Sequence, residues 1–286
     1  MSINKNTTEW DIIVKPKTAL FKLNFSEIWA YKDLILLFVK RDITSLYKQT
    51  ILGPLWMVIQ PIFTSLIYTF TFSKTAGLST DGIPDILFYL MGQTFWIYFA
   101  DSLNKTSSTF VSNAAVFGKV YFPRLVVPIS IVISNLVKLG IQIAFLTVFY
   151  LYFYFATSQL NIQLQHLALI PLLIVFLGLF GLSLGILFSS FTTKYRDFTF
   201  LLGFTVQLLM FASCVVFPVS MYSPKLQNYF LYNPVVAYLE AIKYTLTGHG
   251  ILSFYHLIID SVGVLFTLLV AILIFNKTEK SFMDTV

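Results

Sequence analysis

Long apolar stretches separated by short polar ones organise this chain. A helix needs roughly 20 mostly apolar residues to cross about 30 Å of hydrocarbon. Six runs meet that need: residues 51–72, 84–102, 127–155, 167–191, 198–219 and 254–275. The third is long enough to tilt or to begin outside the hydrocarbon. Ahead of the first run, residues 26–48 repeat with helical period. Ile28, Ile35, Val39 and Leu46 share one face, and Asp33, Lys40 and Thr44 project from the other, which predicts an amphipathic helix lying in the membrane interface. Gly53-Pro54 marks the break before span one, with Pro54 near a first turn, where proline is tolerated. Residues 220–253 are too apolar for a solvated loop, as in NPVVAYLEAIKYTLTG. They predict one or two short helices dipping back into the membrane, packed on protein or lining a cavity. The expected fold is an all-α integral membrane protein with six transmembrane helices, an N-terminal interface helix and re-entrant helices between spans five and six. The expected organisation is an N-terminal segment, 1–50, a transmembrane domain, 51–276, and a tail, 277–286.

Composition and charge sharpen that picture. The chain is 57% hydrophobic and 11% charged, whereas soluble domains carry about 25% charged residues. No soluble fold could hide so much apolar surface. The net charge of +6 matters less than its placement, and no nucleic-acid partner is expected. With the N-terminus inside, 15 of the 19 Lys and Arg residues fall on the inner side. Lys74, Lys225 and Lys243 fall outside, and Lys138 lies within span three. Lys and Arg collect on the cytoplasmic side of membrane proteins, so both termini are expected in the cytoplasm. Residues 1–24 lack the apolar core and cleavage site of a signal peptide, so span one is expected to be uncleaved.

The chemistry of enzymes is missing from the pattern. There is no G-x-x-x-x-G-K-[ST] loop for nucleotide phosphates, no G-x-S-x-G elbow and no H-E-x-x-H helix. His166, His249 and His256 are scattered, and acidic residues are isolated. The one cysteine, Cys214, allows neither an internal disulfide nor a cysteine metal site. No catalytic, metal or cofactor site is expected. Gly178-x-x-Gly181-x-x-x-Gly185 in span four suits close helix packing. Asn135 and Lys138 are the polar residues deep in a span. Lys138 either snorkels to the surface or faces a cavity or a partner such as Asp101. Asp101 and Asp260 lie near span ends and are expected to reach water.

Five segments carry a resemblance. They are VKRDITSLYKQTILGPLWMVIQP (39–61), MGQTFWIYFADSL (91–103), NAAVFGKVYFPRLVVP (113–128), KYRD (194–197) and YNP (232–234). In this order they resemble the polysaccharide-exporting permeases of the ABC type-2 transporter family, which move lipid-linked O-antigen, capsule or teichoic acid chains across the bacterial inner membrane. The resemblance implies a homodimer of six-span subunits, with both termini cytoplasmic, paired with two copies of a separate ATPase that binds ATP and Mg. It also implies a lipid-linked polysaccharide as cargo and contact with membrane lipids.

The same resemblance suggests site residues. ATPase-contact candidates are Lys40, Arg41, Asp42, Lys119, Arg124, Tyr195, Arg196 and Asp197. For the basic ones, lipid headgroups are the alternative partner, at about 1 kcal/mol per cation near the surface. Asp42 and Asp197 otherwise form local salt bridges. Outer-gate candidates are Asn233, Pro234 and Glu240. Aromatic rings can stack on the C–H faces of a sliding sugar chain, which makes Tyr68, Tyr89, Phe95, Trp96 and Phe99 candidate channel-lining rings. Their alternative is an interfacial or lipid-facing role. Export of a drug or small lipid, and ion-driven flipping of a lipid-linked sugar, are the competing functions. A membrane-embedded transferase would need a catalytic group that the sequence lacks.

Overall fold

The computed structural model describes residues 25–48, 52–120, 122–157, 160–195 and 197–282. Among them there is no strand. The chain enters through α1 (Phe25–Ala30) and α2 (Lys32–Tyr47). A 3-10 turn at Gly53–Leu55 leads into α3 (Trp56–Tyr68), which runs on as a π-helical stretch, Thr69–Thr75. Next comes α4 (Asp85–Ser107), followed by two single turns, α5 (Thr109–Ser112) and α6 (Ala114–Phe117). Two long helices follow, α7 (Val126–Thr157) and α8 (Leu169–Lys194), then α9 (Phe198–Ala212). The chain closes with α10 (Pro224–Phe230), α11 (Pro234–Thr247) and α12 (Phe254–Phe282).

Among the described residues, four helical stretches are both long and apolar enough to cross a membrane: Gly53–Thr75, Val126–Thr157, Leu169–Lys194 and Phe254–Lys277. The other two expected spans depart from that standard for different reasons. α4 has the length, at 23 residues, but carries Gln93, Thr94, Asp101, Asn104 and Lys105. Sixteen of its residues are buried, so it is enclosed by protein and need not be apolar all round. α9 is apolar but has 15 residues, about 22 Å at the usual helical rise. It stops at Ala212, and Cys214 follows with φ of 51°. Pro218 lies four residues further on and cannot extend a helical ladder.

The close contact at the centre is between α4 and α8. A methyl group added at Gly181 would lie 2.9 Å from Ser102 Cβ and 3.0 Å from the Phe99 carbonyl oxygen. At Gly185 it would lie 2.6 Å from Thr106 Cβ and 2.8 Å from the Leu103 carbonyl oxygen. At Gly178 it would collide with the Tyr98 hydroxyl. The spacing that suggested helix packing is therefore used for it. Lipid tails are as apolar as leucine, so such van der Waals fit, rather than hydrophobic burial, holds membrane helices together.

A second interhelical tie follows from one proline. Pro61 lies inside α3 and has no N–H to give the Met57 carbonyl. Gln142 of α7 supplies the missing donor, its Nε2 lying 2.8 Å from that oxygen in a buried setting.

α2 packs along α7 through Phe38 and Val39, which are buried. Phe38 joins a cluster with Phe110, Phe117, Phe122 and Phe275, in which the Phe110 and Phe275 rings stack at 4.8 Å. Of the expected apolar face, Ile28 and Ile35 are half-buried, and the Leu46 side chain lies outside the described residues. Asp33 and Lys40 are exposed, as expected, and Thr44 is half-buried. The exposed side of α2 also carries Leu36 and Leu37, and Trp29 is exposed on α1 just before it, so this segment presents apolar surface outward as well as inward.

Residues 220–253 form α10 and α11 and not a solvated loop. Eleven of the 14 residues of α11 are buried. Asn233 caps it by accepting from the Val235 N–H at 3.1 Å, Pro234 occupies the first turn, and Gly248 closes it in the left-handed region. The chain thus has an α2 end and, at the other end of the bundle, an α11 end where residues 76–84 meet 219–222 and His249 through the Asp81–Ser220 hydrogen bond and the Gly82–His249 contact.

Gly185→Ala is expected to destabilise the detergent-solubilised protein by about 1–3 kcal/mol through overpacking. Gly140→Ala and Gly203→Ala, where nothing lies within 4 Å of the added methyl, are expected to leave the melting temperature within a degree or so. Gln142→Leu strands the Met57 carbonyl and is expected to cost about 1–3 kcal/mol. Adding Pro61→Ala restores the α3 ladder and should recover part of that loss. Thermal unfolding of the purified variants checks both sets.

Candidate functional site

Among the described residues, two networks of paired charges tie helices of the bundle together. The first joins α4 to α7 toward the α2 end. Lys138 Nζ sits 2.9 Å from Asp101 Oδ2, so of the alternatives for this lysine the structure has the ion pair. Lys105 lies 3.5 Å from the same carboxylate oxygen and donates to Asn135 Oδ1 at 3.1 Å. Asn135 Nδ2 in turn donates to Ser102 Oγ at 3.2 Å. Each member therefore has a partner, as intramembrane charge requires. Two ammonium groups share one carboxylate, so the network carries a net positive charge.

The second lies on α11. Glu240 and Lys243 are one turn apart, and their side chains pair at 3.0 Å while only 3% and 2% exposed. The ammonium also lies 4.2 Å from the centre of the Phe88 ring on α4, a cation–π contact. The other Glu240 oxygen accepts from the Ile251 N–H at 3.3 Å. One ion pair thus joins α11 to α4 on one side and to the α11–α12 connection on the other. Asn233 does similar work at the start of α11, since its Nδ2 donates to Ser213 Oγ after α9 at 3.2 Å. The sequence singled out Glu240 and Asn233 but missed Lys243, which its position had assigned to an outer segment. The i, i+3 spacing of opposite charges in an apolar helix is the signal that could have found the pair.

The candidate rings separate into two groups. Tyr89, Phe95, Trp96 and Phe99 on α4 are all buried within the single chain. Phe99 stacks on Phe180 of α8 at 5.4 Å. Tyr68 on α3 is half-buried and meets Tyr89 edge-on at 6.0 Å. A fully enclosed ring cannot stack on a cargo until its neighbours move.

At the α2 end, Lys40, Arg41 and Lys48 line one groove along α2 with Leu37 and Thr44. Arg41 pairs with Asp42 at 2.8 Å and covers the Phe38 ring at 4.7 Å, so Asp42 has the local salt bridge. Lys119, Tyr195 and Asp197 are exposed. Arg124 is buried, its guanidinium 5.5 Å from the centre of the Phe117 ring. It therefore braces the inner aromatic cluster and offers little surface. Arg196 lies outside the described residues, as do residues 1–24 and 283–286 of the terminal segments. Asp101 is half-buried and paired, but Asp260, expected to reach water, is buried. Among the described residues no group of three or more His, Cys, Asp or Glu side chains could hold a metal ion.

Lys243→Met would leave a buried carboxylate alone and is expected to destabilise the protein by about 3–5 kcal/mol. The double variant Glu240→Gln with Lys243→Met removes both charges and is expected to be more stable than the single one. Thermal unfolding in detergent measures the difference.

Residues 33–247 match the family model described as ABC-2 type transporter. That stretch runs from the start of α2 to the end of α11. Two Klebsiella pneumoniae proteins named O-antigen export system permease protein RfbA are similar along most of their length. One is 25% identical over 257 residues and the other 27% identical over 254, each alignment covering 88% of this chain and 94% of the relative. A Myxococcus xanthus protein of the same name is 24% identical over 194 residues, 68% of this chain and 72% of the relative.

Proposed function

The chain belongs to the ABC-2 type transporter family, and on that premise we propose that it is the membrane permease of an exporter for a lipid-linked, O-antigen-type polysaccharide. The observation that carries the proposal is similarity to O-antigen export permeases over 88% of the chain. It is a multi-pass membrane protein. We place it in a bacterial inner membrane with six crossings, α4 and the short α9 completing the four long apolar helices, and with both termini in the cytoplasm. α9 can be short because residues 213–218 continue inward as non-helical backbone packed on protein, where such backbone is tolerated. α10 and α11 then form the outer re-entrant gate.

The work comes from two copies of a separate ATPase that bind ATP and Mg, a reading supported by the permease family. They dock at the α2 end, where Lys40, Asp42, Lys119, Tyr195 and Asp197 offer surface. The outward Trp29 on α1 and Leu36 and Leu37 on α2 hold this segment in the membrane interface beside that docking site. Two copies of the chain enclose the channel. α3 and α9 are the natural faces for that pairing, because Phe63, Ile67 and Phe70 on α3 and Phe200 and Phe204 on α9 are exposed.

ATP-driven movement at the α2 end is passed along α4 to α11 through the contact of Lys243 with Phe88. Tyr68 lines the path in this conformation. The four buried α4 rings back the wall and reach the cargo when α3 or α8 moves away from α4. Weak stacking, renewed at each sugar, suits a polymer that must keep sliding.

Deleting the gene is expected to abolish surface polysaccharide and to leave lipid-linked polymer inside the cell, both read by immunoblot of surface and total fractions. Normal surface polymer in the deletion strain defeats the proposal. Asp42→Lys is expected to reduce recovery of the ATPase in co-purification by about tenfold, the equivalent of 1.4 kcal/mol. The Arg41–Asp42 pair is exposed enough that the fold should tolerate this change.

A further inference from the structure

α12 begins with a group of side chains that the export mechanism leaves unused. His256 and Asp260 stand one turn apart on it and are 6% and 4% exposed. His256 Nδ1 shares a hydrogen bond with Ser253 Oγ at 2.8 Å, but its Nε2 has no partner, and neither does Asp260 Oδ2. Buried polar atoms are nearly always paired, with protein or with something bound. Around them stand tyrosines. The Tyr232 ring lies 4.9 Å from the His256 ring and the Tyr255 ring 5.3 Å from it. Tyr232 and Tyr255 are 45% and 62% exposed.

An acceptor and a second unpaired nitrogen, enclosed behind two exposed phenol rings, match the chemistry of a sugar. Its C–H face stacks on the aromatic rings, and once those rings swing aside its hydroxyls donate to the carboxylate and bond to the imidazole. Other occupants fit less well. A phosphate headgroup would face the Asp260 carboxylate with no Lys or Arg in the group to offset it. Interfacial tyrosines alone would explain the rings but not the buried acid and imidazole beneath them. A metal ion would find two ligands, fewer than a site needs.

We propose that Tyr232, Tyr255, His256 and Asp260 form a saccharide-binding site at the α11 end, which holds a neutral sugar unit of the exported chain as it leaves. The proposal rests on the polysaccharide-export function above. The site binds weakly, so that the next sugar can replace the one before it.

The test is saturation-transfer NMR on the permease with its ATPase in nanodiscs of phosphatidylethanolamine and phosphatidylglycerol. The probe is the surface polysaccharide of the source cell, freed of lipid by mild acid. Transfer to sugar C–H protons is expected, falling about fivefold in Tyr232→Ala and Tyr255→Ala and also falling in Asp260→Asn. Tyr232→Phe keeps its ring and should retain most of the signal. Tyr152→Ala, an exposed tyrosine on α7, should match the wild type. The two ring truncations are at exposed positions, so the fold should survive them, with size-exclusion profiles as the check. Equal transfer in Tyr232→Ala and Tyr255→Ala, or no transfer at all from a complex that exports polymer in cells, overturns the site and leaves the export function standing. A wild-type complex that moves no polysaccharide in cells removes the export function and the premise of the site together.

Discussion

The close approach of α4 and α8 is the constraint on which the rest of the bundle depends. Three glycines on one face of α8 let the α4 backbone come near enough for Ser102 and Thr106 to pack against bare helix. That approach encloses a helix too polar for lipid on every side. Once α4 is central, its polar groups acquire partners from the helices around it: Asp101 and Ser102 from α7, and the Phe88 ring from the ammonium of α11. Without the glycines, α4 would be held off, and those groups would face lipid or each other at a distance where they could not pair.

Polar residues here act mainly as fasteners between elements. The Glu240–Lys243 pair lies within one helix, yet both partners reach beyond it, to Phe88 and to the Ile251 N–H. The Asp101 network does the same for α4 and α7. In hydrocarbon such contacts have no competition from bulk water, so each one fixes where a helix sits even when its net contribution to stability is modest. The α11 element is therefore attached at several points, to α4, to the backbone after α9 and to the α11–α12 connection.

Much of this was legible in the sequence. Helix positions followed from apolar length and the glycine spacing from its i, i+4 regularity, while the cost of a lone intramembrane charge left Asp101 as one of three alternatives for Lys138, among which the structure decides. Family membership was legible in the five motifs. Three things were not. The end of α9 at Ala212 depends on how residues 213–218 pack, which hydropathy does not report. The burial of Arg124 depends on Phe110 and Phe117 surrounding it, and a basic residue in a basic loop looks like surface. The enclosure of the α4 rings and of Asp260 depends on which helix ends at the centre, a fact of tertiary arrangement that a linear pattern does not carry.

The proline of α3 has a mechanical consequence. Where Pro61 interrupts the backbone ladder, α3 is fastened to α7 by a single donor from Gln142, and beyond that point it carries a wide π-helical stretch and exposed rings. A helix interrupted at one place and pinned there from the side bends about that place. The half of α3 that runs into the π-helical stretch can therefore swing relative to the half that holds Met57, so the exposed rings of this element sit beyond a joint.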